Sequence, residues 1–188
     1  MIPRFFSDLA ALFHRVEATD ASGASVPFAD AVGAAIALIK GQTAAGGKVM
    51  FIGNGGSAAI ASHQAIDYWR NGGMRALAFN DPVLLTCVSN DFGYPHVFEK
   101  PIEMFADAGD ILVAISSSGQ SANILLGAAA ARRLGCRLIT LSGFKPDNPL
   151  RTMGETNFYV PSDSYGHVEI AHLCVCHCIV DGIILGTA

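Results

Sequence analysis

Lys48-Val-Met-Phe-Ile-Gly-Asn-Gly-Gly-Ser57, followed by Ala58-Ala-Ile-Ala61, decides the fold. An apolar run stops at a Gly- and Asn-bearing loop, and small helix-compatible residues take over at once. The stretch therefore reads strand, polar loop, helix. A second stretch repeats the pattern: Asp110-Ile-Leu-Val-Ala-Ile-Ser-Ser-Ser-Gly-Gln-Ser121 leads into Ala122-Asn-Ile-Leu-Leu126. A helix N-terminus presents unpaired N–H groups and a partial positive charge, so a loop ending there holds an anion with backbone donors alone. The hydroxyls of Ser57, Ser116, Ser117, Ser118 and Ser121 add donors, and Gly55, Gly56 and Gly119 allow the backbone close to a ligand. Neither loop fits Gly-x-Gly-x-x-Gly, and neither carries the Gly-Lys-Ser/Thr of a nucleotide loop. A phosphate monoester is the expected ligand, rather than a dinucleotide or a nucleoside triphosphate. Ordinary turns at the end of sheet strands also favour Gly, Ser and Asn; the occurrence of two such loops in one chain favours the phosphate.

Outward from these loops, apolar runs alternate with helical periodicity. Strands are expected at 48–53, 75–80, 111–115, 137–142 and 157–161. Helices are expected at 3–18, 27–45, 58–70, 96–106, 121–134 and 168–185, with a turn at 19–25 and a loop at 89–94. Strands alternating with helices of this length predict a mainly parallel sheet covered on both faces. Ligands of such sheets gather beyond the carboxyl ends of the strands. Asn54 to Ser57, Asn90 with Asp91, and Ser116 to Ser121 are expected to converge there.

The 188 residues suit one domain, with an N-terminal helical part at 1–46 and an α/β core at 47–188. Hydrophobic residues make up 51% and charged residues 15%, an apolar balance that predicts surface hidden against further copies of the chain. The net charge of −4 comes with no basic run longer than Arg132-Arg133, which argues against nucleic acid. No uninterrupted run of about 18 apolar residues and no signal-peptide layout is present, so a soluble cytoplasmic protein without a membrane partner is expected. Cys174, Cys176 and Cys178 do not form a disulfide framework. On a helix Cys176 points away from the other two, so they are read as small core hydrophobes rather than one metal site.

His63 and Asp67 lie four residues apart and share a helix face, while Glu169, His172, His177 and Asp181 fall on the C-terminal helix. Imidazole with carboxylate suits a divalent metal, zinc above all; it equally suits a surface ion pair.

Gly53-Asn-Gly-Gly-Ser57, His63, Ser89-Asn-Asp-Phe-Gly93, Ile115-Ser-Ser-Ser-Gly-Gln-Ser-Ala-Asn123, Leu141-Ser-Gly143 and the segment from Glu169 to His177 together resemble the sugar isomerase (SIS) domain family, in particular its phosphoheptose isomerases. The resemblance runs from about Phe28 to the C-terminus. It implies a three-layer α/β/α sandwich around a parallel five-stranded sheet, a homotetramer with active sites at subunit contacts, and conversion of a 2-ketose 7-phosphate into its aldose isomer. It also implies that Asn54, Gly55, Gly56, Ser57, Asn90, Asp91, Ser116, Ser117, Ser118 and Ser121 hold the sugar phosphate, joined by Glu169. The family's zinc ligands, a histidine, a glutamate, a glutamine and a second histidine, fall on His63, Asp67, Glu169 and His177. Asp67 is one methylene shorter than the family's glutamate, and Glu169 adds a charge where the family has an amide. Asp67 and His177 are the residues expected to transfer protons.

Glu169 and His177 on one continuous helix would stand about 12 Å apart along its axis. Either the helix begins after Glu169 or one ligand comes from a neighbouring subunit, and the second is expected. A non-catalytic sugar-phosphate sensor, or a tetramer that binds a replication initiator, is the alternative expectation, prompted by the departures at Asp67 and Glu169.

Overall fold

A computed structural model describes residues 2–186. The chain order is α1 (Ile2–Phe13), β1 (Glu17–Asp20), β2 (Ser25–Val26), α2 (Phe28–Ala44), β3 (Val49–Gly53), α3 (Gly56–Arg70), β4 (Ala76–Ala78), α4 (Pro82–Phe92), α5 (Glu99–Phe105), β5 (Ile111–Ser116), α6 (Ala122–Arg133), β6 (Arg137–Gly143), β7 (Thr156–Val160) and α7 (Tyr165–Leu185). The sheet order is β2-β1-β7-β6-β5-β3-β4. The five expected strands, β3 to β7, are mutually parallel, and β1 and β2 extend the sheet to seven by antiparallel pairing on β7.

The central strands are buried on both faces, as the unbroken apolar runs require. Their side chains divide by the two-residue period of a strand. Val49, Phe51, Ile111, Val113, Ile115, Ile139 and Leu141 enter the core under α2, α3 and α7, with Phe51 set edge-on against Tyr68. Met50, Ile52, Leu112, Ala114 and Leu138 enter the opposite core, under α4, α5 and α6. Three layers follow from that division.

Register positions the site. Gly53 is opposite Ile115, and Ser116 is opposite Ser142, so β3, β5 and β6 end level with one another. The two loops leaving β3 and β5 therefore start side by side. At the other end of the strands, the buried carboxylate of Asp110 accepts the Lys48 N–H at 2.8 Å and the Asp107 N–H at 2.7 Å, with the Lys48 ammonium at 2.5 Å.

Several local expectations are corrected. The first helix stops at Phe13, and residues 19–25 are part of a hairpin: Asp20 Oδ1 accepts the N–H groups of Ser22 and Ala24 at 2.8 and 3.0 Å, closing the turn between β1 and β2. Four- and two-residue strands carry too little periodicity to be read from sequence, and it is pairing with β7 that makes them strands. The segment 89–94 is not a loop: Ser89 to Phe92 are the last turn of α4, Gly93 caps it, and Tyr94 begins a short helical turn. Helix α4 starts at Asp81, whose carboxylate accepts the Val83 and Leu84 N–H groups, with Pro82 as its first residue. Of the three clustered cysteines only Cys176 is buried, its thiol pushed up to about 12 by burial and by neighbouring Cys174; Cys174 and Cys178 are exposed. Helix α7 is long and apolar enough to cross a membrane by length and composition. Here its Val175, Cys176, Ile179 and Val180 are spent on the core shared with α2 and α3.

Candidate active site

A cavity of about 240 Å³ opens at the carboxyl edge of the sheet, lined by Asn54, Gly55, Gly56, Ser57, Ser116, Ser117, Ser118, Ser121, Tyr165 and Glu169. Both loops contribute, and so does the start of α7. Helices α3 and α6 begin here, and neither has a side-chain cap of its own. Their first N–H groups are left for a ligand to satisfy. Two helix N-termini directed at one cavity, with five serine hydroxyls among the lining residues beside the Glu169 carboxylate, give it the donors of a candidate anion seat.

The seat is held in shape from behind. Gly119 turns the second loop with a positive φ of 62°, and its N–H donates to the Ser116 hydroxyl at 3.1 Å. A side chain at 119 would overlap Asn148, which is itself fixed: its amide donates to the Lys145 carbonyl at 2.8 Å and accepts the Arg151 N–H at 3.1 Å. Ser116 and Ser121 stand 3.4 Å apart across the loop, and the Gln120 N–H donates to the Ser118 hydroxyl at 3.2 Å. Ser57, Ser116 and Ser117 are nearly buried.

Nine of the cavity's lining residues are positions singled out from sequence, while Asn90 and Asp91 lie elsewhere. They occupy the last turn of α4, where Asn90 donates to Asp91 at 2.9 Å and lines a separate depression with Leu85, Thr86, Ser89 and Tyr94. Tyr165 joins the cavity without having been anticipated. The last helix is expected from sequence to start at 168, and it is its earlier start at Tyr165, after Ser164, that brings this residue to the cavity.

His63, Asp67 and His177 come together where α3 and α7 pack. The Asp67 carboxylate lies 3.3 Å from His63 Nε2 and 3.8 Å from His177 Nδ1, and one donor atom from each residue falls within 4.8 Å of the others. The His63 and His177 rings are edge-to-face at 5.2 Å. Two imidazoles and a carboxylate at these separations fit a divalent cation that keeps an open position. Asn71 donates to the other Asp67 oxygen at 3.3 Å, a contact that would help orient the carboxylate toward a cation. Glu169 is not in this group. Helix α7 runs unbroken from Tyr165, which removes the possibility that it begins after Glu169, and the Glu169 carboxylate lies in the cavity against Gly56.

Buried His172 lies on α7 between the two centres in sequence. Its Nε2–H donates to the Ser142 carbonyl at 3.0 Å, and burial lowers its pKa to about 4 despite that bond. It is neutral and belongs to the scaffold.

The SIS domain model matches residues 4–143. The chain is 40% identical over 143 residues to the phosphoheptose isomerase of Akkermansia muciniphila, covering 73% of this chain and 75% of that protein. It is 40% identical over 149 residues to the phosphoheptose isomerase of Sodalis glossinidius, covering 76% of each. The structure of phosphoheptose isomerase from Neisseria gonorrhoeae superimposes with a TM-score of 0.85 at 28% identity, over 97% of both chains. A cavity built by two polar loops at helix N-termini, on a fold that overlays the Neisseria gonorrhoeae enzyme nearly end to end, agrees with the family match and the sequence identities: the chain belongs to the SIS domain family, among the phosphoheptose isomerases.

Proposed function

We propose that this sugar-phosphate isomerase interconverts sedoheptulose 7-phosphate and D-glycero-D-manno-heptose 7-phosphate, with the phosphate in the serine-lined cavity and the carbonyl end of the sugar toward His63, Asp67 and His177. The observation that carries the reading is that α3 begins at the anion seat and carries His63 and Asp67 farther along, where His177 of α7 joins them. Gly56 at the cavity and His63 are seven residues apart on α3, about 10 Å of helix. A long open-chain sugar bridges that gap better than a short one.

Moving a carbonyl between C1 and C2 requires one proton to leave carbon and return on the neighbouring carbon, through an enediol. Asp67 and His177 are the groups for that transfer, the carboxylate taking the proton and the imidazole serving the oxygen. A divalent metal, zinc by preference, would be held by His63, Asp67 and His177 and would supply electrophilic stabilisation of the developing oxyanion. Glu169 faces the phosphate end of the substrate, while Asn90 and Asp91 lie on α4 outside this cavity.

A homotetramer in the cytoplasm accompanies this reading. Phe6, Trp69, Met104, Phe105, Tyr165 and Leu185 are all more than half exposed, a large apolar surface for a single chain. Light scattering giving four times the chain mass is the expected result, and a monomer would remove that part of the reading.

The reaction is tested by proton NMR of sedoheptulose 7-phosphate with the protein in deuterated water, with and without added zinc. Product carrying deuterium at C2, formed faster with zinc, is expected. A protein that binds the sugar phosphate yet gives neither product nor exchange is a sensor, and the proposal fails.

A further inference from the structure

The Asn54 amide, one residue beyond β3, is saturated on one side and open on the other. Asn123, in the first turn of α6, sets this arrangement, and its side chain is 3% exposed. The Ile124 N–H, shared with the Ser121 carbonyl at 3.0 Å, also donates to Asn123 Oδ1 at 3.0 Å, and this contact favours the orientation of the Asn123 amide that turns its oxygen to the backbone. Its Nδ2 then faces Asn54 and donates to Asn54 Oδ1 at 2.8 Å, while Asn54 Nδ2 returns a bond to Asn123 Oδ1 at 2.9 Å. The Tyr94 hydroxyl, on the short turn after α4, donates to the same Asn54 Oδ1 at 3.1 Å.

Both lone pairs of Asn54 Oδ1 are therefore used. One Nδ2 hydrogen is used as well, and one remains. Asn54 lines the cavity, so what its side chain offers a ligand is a donor and never an acceptor. The paired amides also tie the loop of β3 to the loop of β5, fixing the two halves of the anion seat relative to each other.

We propose that Asn123 and Tyr94 are positioning residues that hold the Asn54 amide as a donor toward the oxygen of a bound sugar phosphate. This rests on the reading of the cavity as a sugar-phosphate seat. Neither residue touches the ligand itself; each acts through Asn54.

A double-mutant cycle separates this from a merely structural role. Asn54→Ala, Asn123→Ala and the double variant are compared by KM and kcat for sedoheptulose 7-phosphate and by calorimetric titration with inorganic phosphate. Each single change is expected to weaken binding about tenfold, with kcat within about threefold of the parent, as for loss of one bond to a charged partner. The double variant is expected to be no weaker than Asn54→Ala alone. Multiplicative losses would mean that Asn123 works without Asn54, and the proposal would be overturned. Should Asn123→Ala not fold, Tyr94→Phe carries the same cycle, because its hydroxyl sits on an exposed side chain and its removal leaves the core intact; it is expected to cost two- to threefold in the parent and nothing in Asn54→Ala. A protein that binds inorganic phosphate but leaves sedoheptulose 7-phosphate unchanged would contradict the proposed reaction alone, and the phosphate arm of the cycle would still decide the roles of Asn123 and Tyr94. Failure to bind either compound would overturn both.

Discussion

The Glu169 carboxylate lies directly over the Cα of Gly56, so closely that a Cβ built at position 56 would overlap it. One residue opens α3 and the other follows the first turn of α7, which makes this contact the junction between the anion seat and the C-terminal helix. Gly56→Ala is expected to turn the Glu169 carboxylate aside, because the overlapping atoms are the end of a flexible side chain, and to cost less than about 1 kcal/mol of stability. Glu169→Ala in the same chain should return most of it. Denaturant midpoints of the two single variants and the double variant check this, and a double variant no more stable than Gly56→Ala would show that the clash is elsewhere.

The same contact sets a negative charge at the N-terminus of α3, where a phosphate would also sit. Like charges in one cavity oppose each other, so Glu169→Gln is expected to tighten inorganic phosphate several-fold. Titration calorimetry in low salt reads the change. Unaltered or weaker phosphate binding would mean that the carboxylate moves aside or assists the ligand through a cation.

Asp67 stands between two imidazoles, and its two partners give it different tests from those of the cavity. His177→Ala should abolish stoichiometric zinc uptake, measured by elemental analysis after dialysis, because two remaining ligands do not hold the ion. Asp67→Asn should lower turnover by at least a hundredfold while phosphate affinity stays within about twofold. Loss of phosphate binding together with turnover would make Asp67 a support of the fold instead.

His172 gives the fold a pH dependence of known sign. Burial lowers its pKa from 6.5 to about 4, so the unfolded chain binds a proton that the folded chain refuses. Its contribution to stability is intact above pH 6.5 and is lost as the pH falls from there toward 4, by roughly 3 kcal/mol at the lower limit. Urea midpoints between pH 7.5 and 4.5 should fall more steeply for the parent than for His172→Gln. Parallel curves would show that other groups carry the acid sensitivity.

Much of the fold was legible because the signals were local. The strand at 48–53 and the helix after it follow from an apolar run that ends in Asn-Gly-Gly-Ser, and the same holds for 111–121; these two units alone imply a parallel sheet and an anion seat at its carboxyl edge. His63 and Asp67 could be paired from their spacing on one helix. The β1–β2 hairpin could not be read, because its strand character comes from β7, more than a hundred residues away. Asn90 and Asp91 were misplaced because the segment's Asn, Asp and Gly suggested a loop, whereas the Asp81 cap and Pro82 at its start set it as a helix.

The local sequence placed hydroxyls, small residues and helix starts together in two short segments, because each of these is a property of a short segment. Tertiary structure alone decided which of them meet. The level ends of β3, β5 and β6 bring the two loops to one cavity, the packing of α7 on α3 adds His177 to His63 and Asp67, and the unbroken run of α7 assigns Glu169 to the cavity. Each of these depends on register and on the direction of a helix relative to its neighbour, and neither quantity is carried by a segment in isolation.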